Sequence, residues 1–213
     1  MADHEFSSAA YWEARYRRGG TSGAGSYGRL ASYKAAFINA FVADNAVDSV
    51  LDLGCGDGNL LSLLQIPHYI GVDVSVTSLS RCASRFVSPA NYVFMHATQL
   101  DELAPIDMAM SIDVIFHLTE DQVFDRHIDD LFGHAARFVL IYASNFDSGW
   151  PSPHVRHRRF SNVVAQRWPM WELLAHLPSP FPYDPGRPDE TSFADFFVYA
   201  RARAECVIRL AEQ

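Results

Sequence analysis

The chain has 213 residues, 49% of them apolar and 20% charged, which suits one domain with a sizeable core and lies far from the composition of disordered chains. Seventeen Lys and Arg stand against 25 Asp and Glu, a formal charge of -8, which argues against broad attraction to nucleic acid or an anionic membrane. The opening MADHEFSSAAYW has no basic start followed by an apolar core, and no apolar run approaches the ~18 residues of a membrane span. A cytoplasmic protein with neither nucleic-acid nor membrane partner is expected.

Residues 8–18 and 29–43 read as helices, the second with Leu30, Tyr33, Lys34, Phe37, Ile38 and Phe41 largely on one face. Between them GGTSGAGSYG holds five of the twelve glycines in ten residues. It reads either as a flexible linker or as a hinge whose backbone closely approaches a bound molecule. From residue 49 the pattern alternates: strand 49–53, helix 59–64, strand 68–72, helix 78–86, strand 91–96 and strand 107–112. LTEDQVFDRHIDDLFGHAARF follows, with Thr119 and Gln122 spaced as a capping box, and Val123, Phe124, His127, Ile128, Leu131, Phe132 and Ala135 as an apolar face. Residues 138–143 read as a fifth strand. Strands alternating with helices on short connections predict a parallel sheet covered on both faces, with ligands at its carboxyl edge.

The last third differs. A short helix over 161–167 stops before Pro169, and MWELLAHL and SFADFFVYA then give two strand patterns with no helix between them, so this pair is expected antiparallel. Five prolines from Pro178 to Pro188 predict an ordered connection. Cys55, Cys82 and Cys206 are far apart and form no CxxC pair, so neither disulfides nor a structural zinc is expected.

The first strand runs into Gly54-Cys55-Gly56-Asp57-Gly58, the strand-and-turn context of a nucleotide site. A dinucleotide site holds pyrophosphate on backbone N–H groups and a helix amino terminus, which Asp52 before the turn and Asp57 within it oppose. A phosphate-free cofactor with a cationic end suits these carboxylates better, and S-adenosylmethionine is such a molecule. YIGVDV then places Asp73 at the second strand's tip, fifteen residues after Gly58, to accept both ribose hydroxyls.

VLDLGCGDGNL followed by GVDVS resembles motifs I and II of the class I S-adenosylmethionine-dependent methyltransferases, and IDMAMSIDVIFHL is similar to the strand-four motif of their small-molecule O- and N-methylating members. The resemblance covers roughly residues 11–145. It implies an α/β fold, a Rossmann-like three-layer sandwich whose seven-stranded, mostly parallel sheet runs 3-2-1-4-5-7-6 with strand 7 antiparallel. One domain over 1–213 is expected, with a helical amino-terminal lid (1–45), a cofactor-binding core (46–145), and a substrate loop with the antiparallel strand pair (146–213). The cofactor would be S-adenosylmethionine and its product S-adenosylhomocysteine, held by Tyr16, Ser26, Tyr27, Arg29, Asp52, Gly54, Cys55, Gly56, Asp57, Asp73, Val74, Thr98 and Ser111. Within the lid, Arg29 would meet the methionine carboxylate, while Tyr11, Trp12 and Tyr16 either exclude water or pack on the sheet. The family's frequent acid after strand three is missing from FMHATQLDEL, where Ala97 and Thr98 stand, so Thr98, Gln99, the backbone or Asp101 is left to meet adenine.

Methyl transfer from a sulfonium is an in-line displacement that needs alignment and, for some acceptors, removal of a proton. Asp113 and His117 follow strand four as candidate bases or orienting groups, though His117 reads equally well as a hydrogen-bonded core histidine. SIDV stands where nucleobase and amide methyltransferases of similar fold carry Asn-Pro-Pro-Tyr, which argues against those acceptors. SNFDSGWPSPHVRHRRF crowds five basic residues into six positions. His157 is a third catalytic candidate there, and His154, Arg156, Arg158 and Arg159 are substrate-binding candidates. Arginine forks suit an anionic small molecule such as a sugar, a nucleotide-sugar or a natural product; the bland alternative is a solvated loop pairing with surface acids. His154 and His157 lack companion metal ligands, so no metal is expected. Three rival readings remain: an NAD-dependent oxidoreductase, an aminopropyl-type transferase, and a cofactor-binding regulatory module without turnover.

Overall fold

A computed structural model describes residues 6–87, 91–202 and 205–209. Residues 1–5 of the expected lid and 210–213 of the expected carboxyl-terminal segment lie outside the described residues. The main sheet contains β1 (Ser49–Leu53), β2 (His68–Asp73), β3 (Tyr92–His96), β4 (Ile106–Ile112), β5 (Ala135–Ala143), β6 (Trp171–Leu177) and β7 (Asp195–Arg201). Their order is β3-β2-β1-β4-β5-β7-β6. The first five run parallel, and β7 is antiparallel to both β5 and β6. The order and the reversed strand are those expected. The central strands are continuous apolar runs because both faces are covered: Val50, Leu51, Met108, Ala109, Met110, Val139, Leu140 and Ile141 are wholly buried.

The helices are α1 (Ser8–Arg17), α2 (Gly28–Asp44), α3 (Val76–Arg85), α4 (Asp121–Gly133) and α5 (Phe160–Arg167). The apolar stripe of α2 meets the sheet through aromatic pairs, Phe37 with Phe196 at 4.4 Å and Phe41 edge-on to Phe138 at 5.2 Å. On α4, Phe132 packs edge-on to Trp171 and Tyr199. Each such buried ring contributes roughly 2–3 kcal/mol relative to exposure.

Three local expectations fail for identifiable reasons. No α-helix forms over 59–64; a 3-10 turn at Leu61–Leu63 takes its place. Only nine residues separate Gly58 from β2, with Pro67 last among them, and the short turn suffices to bury Leu60, Leu61, Leu64 and Ile66. The Thr119–Gln122 capping box does not form either: Glu120 is the N-cap, and the Thr119 hydroxyl donates to the Glu120 carboxylate. Ala135 belongs to β5 rather than to the helix, because α4 ends at Gly133 and the His134 ring engages the Asp130 carbonyl. A small ribbon, Ser148–Gly149 paired with Arg156–His157, lies outside the expected elements.

Candidate cofactor and acceptor site

At the end of β1 the Gly54 and Cys55 amides both donate to the Val72 carbonyl, at 2.7 and 3.1 Å, bending the chain over the tip of β2. Gly54 and Gly56 hold φ of 94° and 59°, the left-handed region that glycine occupies without strain. A β-carbon at Gly56 would run into Ser22 Oγ, and one at Gly54 into the Val114 side chain. The backbone of this turn is thus covered directly by the glycine-rich segment and by the chain after β4. Because a 3-10 turn follows, no helix amino terminus stands behind it, and the feature that would favour a pyrophosphate is missing.

Three carboxylates surround the turn, each in a different state. Asp73 Oδ2 accepts from the Gly56 amide at 2.9 Å and Oδ1 from the Ser75 amide at 2.8 Å. Burial pushes its carboxyl upward, opposed by those backbone donors. Each oxygen keeps a further lone pair for a ligand. Asp52 Oδ2 accepts from Tyr69 Oη at 2.6 Å. Burial pushes this carboxyl up to about 7, the Tyr69 bond opposing and the nearby Asp73 charge adding to the rise. Asp57 is a fastening: Oδ2 accepts from the Ser22 amide and from Tyr27 Oη, both at 2.8 Å, and Oδ1 from the Asn59 amide at 3.1 Å. Cys55 meets Cys82, which together with burial pushes its thiol well above the ordinary range, so it serves as inert packing.

These groups open into a cavity of about 680 Å³. Its walls come from α1 and the glycine-rich segment (Trp12, Tyr16, Ser22, Ser26), from the turn and Asp73–Val74, from His96–Thr98 and Asp101, from Ile112–Val114 and His117, and from α4 (Gln122, Arg126, His127, Asp130). The amino-terminal segment is tied over it at several points. The Glu13 carboxylate accepts from the hydroxyls of Ser75 and Thr77 at 2.6 and 2.7 Å, the Ser8 amide donates to Glu120 at 2.8 Å, and Arg81 donates to the carbonyls of Tyr16 and Gly20.

At the end of β4, Asp113 has a positive φ of 60° and forms an ion pair with Lys34, which is fully buried and sits 5.0 Å from the Tyr142 ring. His117 Nδ1 lies 2.9 Å from the His154 carbonyl. A carbonyl only accepts, so Nδ1 carries the proton. Burial lowers the ring's pKa to about 4, leaving a neutral imidazole with its lone pair on Nε2. Tyr11, His154 and His117 form a parallel stack at 4.6 and 5.4 Å, with Trp12 edge-on to His117 at 4.9 Å.

Of the residues singled out from sequence, Tyr16, Ser26, Asp52, Gly54, Cys55, Gly56, Asp57, Asp73, Val74, Thr98, Asp113 and His117 line this one cavity. Tyr27 reaches it through Asp57. Others lie elsewhere. Arg29 donates to the Glu190 carbonyl at 2.8 Å and lies over Phe181, so it is not directed at a methionine carboxylate. Ser111 is buried against His127 Nε2 at 2.8 Å. His157 bonds Ser144 Oγ through Nδ1 at 2.7 Å inside a ring of Phe146, Trp150 and Phe193, away from the cavity wall. Arg156 and Arg158 both pair with Asp121 and donate to the Thr119 carbonyl, while Arg159 caps the start of α5. His154 faces the Tyr11 stack. Arg156 and Arg158 therefore fasten this loop to the start of α4, while the Arg159 side chain is exposed.

Sequence reasoning missed His96, Gln122, Arg126, His127 and Asp130 as wall residues, and Lys34 as the partner of Asp113. Lys34 did leave a signal, a lone cation within the apolar stripe of α2. Among the described residues no cluster of His, Cys, Asp or Glu could hold a metal ion, and no helix is long and apolar enough to cross a membrane.

The folds of known proteins agree with this geometry. Magnesium protoporphyrin IX methyltransferase from Synechocystis PCC 6803, crystallised with S-adenosylhomocysteine, superposes with a TM-score of 0.65 at 16% identity, covering 91% of this chain and 98% of that one. The N-methyltransferase NodS from Bradyrhizobium japonicum WM9, also with S-adenosylhomocysteine, gives 0.63 at 12% identity over 92% and 99%. The methyltransferase domain of bacterial CtHen1-C gives 0.59 at 22% over 79% and 97%. At these identities the likeness is one of fold. The family model described as a methyltransferase domain matches residues 50–137, from β1 into β5. Over those residues the chain is similar to a methyltransferase domain. Rv1506c of Mycobacterium tuberculosis, a methyltransferase by name, is 34% identical to this chain over 102 residues, 44% of its length. The match spans 61% of that relative's length.

Proposed function

We propose that this chain transfers a methyl group from S-adenosylmethionine to an oxygen or nitrogen of a small molecule. The observation that carries the reading is the turn itself: a glycine backbone flanked by Asp52 and Asp73, with no helix amino terminus behind it. Such a turn favours a cationic, phosphate-free adenosyl donor over a dinucleotide.

Asp73 would take the ribose hydroxyls on the free lone pairs of its two oxygens. Asp52, beneath the turn, favours positive charge at the methionine end once it is ionised. Thr98, Asp101 and Gln122 supply polar atoms for adenine in place of the missing acid after β3. When bound, S-adenosylmethionine supplies an electrophilic methyl carbon whose bond to sulfur breaks, with its electron pair left on sulfur, as the bond to the acceptor forms. Trp12, Tyr16 and the segment fastened by Asp57 act as a lid that excludes water from that carbon. His117 receives the acceptor's proton on Nε2 as the new bond forms. Asp113, already paired with Lys34, orients the acceptor and does not act as the base.

Incubation of the protein with methyl-deuterated S-adenosylmethionine and a metabolite extract tests this. A product heavier by one labelled methyl group, together with S-adenosylhomocysteine, is expected. Cofactor binding with neither product would leave a binding module without turnover.

A further inference from the structure

Six aspartates line the cavity against one arginine or lysine, Arg126, and that guanidinium is already shared between Asp101 and Asp130. With Asp113 paired to Lys34 and Asp101 and Asp130 sharing Arg126, an anion entering this partly desolvated cavity would still meet the carboxylates of Asp57 and Asp73, and Asp52 in part, with no free cation in the wall. Of the cations just outside it, Lys34 is paired with Asp113, and Arg156 and Arg158 with Asp121, while Arg15 lies over the Trp12 ring and donates to the Thr21 carbonyl at 2.6 Å. Lys34 has a second consequence. By cancelling the charge of Asp113 it leaves the acceptor side without a free carboxylate to draw in an ammonium. The wall that remains there is aromatic and uncharged: Trp12, Tyr16 and the neutral His117, which is backed by the His154–Tyr11 stack. A base held near pKa 4 also suits an acceptor that needs little help in losing its proton, and cannot strip an alkylammonium.

We propose that the acceptor is an uncharged, planar aromatic molecule methylated on a hydroxyl or ring nitrogen, seated against Trp12 and His117. This rests on the methyltransferase reading above, and it excludes the anionic small molecules that the basic run suggested from sequence. Aromatic faces contribute through area and stacking, both of which an added anionic group would offset by repulsion and desolvation.

The test is calorimetric titration of the full chain, first with S-adenosylhomocysteine, then of that complex with 2-naphthol, 2-naphthol-6-sulfonate and glucose 6-phosphate. The neutral naphthol is expected to bind about tenfold or more tightly than either anion. Trp12→Ala should weaken naphthol about tenfold and Trp12→Phe should largely restore it, with circular dichroism reporting that both variants are folded. Equal or tighter binding of an anion, or no naphthol binding to the loaded protein, overturns the aromatic acceptor and leaves the donor assignment standing. Failure to bind S-adenosylhomocysteine at all overturns both.

Discussion

The amide of Gly56 donates to Asp73 Oδ2 at 2.9 Å, joining the glycine turn after β1 to the acidic tip of β2. One carboxylate thereby shapes the turn and offers its remaining lone pairs to a ligand. Asp73→Ala should weaken S-adenosylhomocysteine binding about 30-fold or more, since two charge-assisted hydrogen bonds at roughly 1.5–3 kcal/mol each are at stake. Calorimetry against wild type checks this, with circular dichroism confirming the fold. Unchanged affinity would remove Asp73 from the ribose site.

Asp52 makes the protein sensitive to pH near neutrality. Its carboxyl is raised to about 7 by burial, so between the ordinary carboxylate range and pH 7 the folded state holds a proton that the unfolded state has lost. Folding stability from this group is therefore lost as pH rises through that window and levels off above it. Asp52→Asn should flatten the dependence and raise stability at pH 8 by an amount on the order of 1–3 kcal/mol, read by denaturant titration at pH 5 and pH 8. Binding should respond in the opposite sense. Affinity for cationic S-adenosylmethionine, relative to S-adenosylhomocysteine, should strengthen from pH 6 to pH 8 in wild type and stay level in Asp52→Asn.

Asp57 holds the glycine-rich segment closed through the Ser22 amide and Tyr27 Oη. In Asp57→Ala both donors lose a charged acceptor. Amide hydrogen exchange over residues 19–27 should rise about tenfold or more, with faster cofactor dissociation and a smaller effect on the sheet. Exchange unchanged in that segment would show that the Asp57 carboxylate is dispensable and that contacts such as those of Ser8, Glu13, Asn59 and Arg81 hold the lid.

Arg158 is 9% exposed and joins the Leu118 and Thr119 carbonyls to Asp121. Arg158→Ala should cost about 1–3 kcal/mol, a fall in Tm of roughly 3–10 °C for a chain of this size, without changing the preference for neutral over anionic acceptors. A selective loss of anion binding would return this residue to the substrate site.

Sequence periodicity revealed the sheet because parallel buried strands leave apolar runs that composition alone exposes, and the turn because glycine and aspartate at fixed spacing have few other uses. Asp52 and Asp73 were legible for the same reason. Of the two readings the basic run allowed, Arg156 and Arg158 take the pairing with a surface acid, Asp121, a partner some 35 residues earlier that sequence spacing does not disclose. The α4 wall was hidden by its own amphipathicity: His127 sits in an apolar stripe, where it reads as core, and Arg126 and Asp130 read as a solvated i,i+4 pair. The absent helix at 59–64 shows a limit of local propensity. Leucine-rich NLLSLLQI favours a helix, yet the distance from the turn to β2 allows a single tight turn.

A carboxylate-flanked turn without a helix amino terminus should select a phosphate-free adenosyl donor. Calorimetric titration of the purified chain with S-adenosylmethionine, S-adenosylhomocysteine and NAD tests it most directly. One-to-one binding of the two adenosyl ligands with no heat from NAD is the predicted result; tight NAD binding with no response to either adenosyl ligand would contradict it.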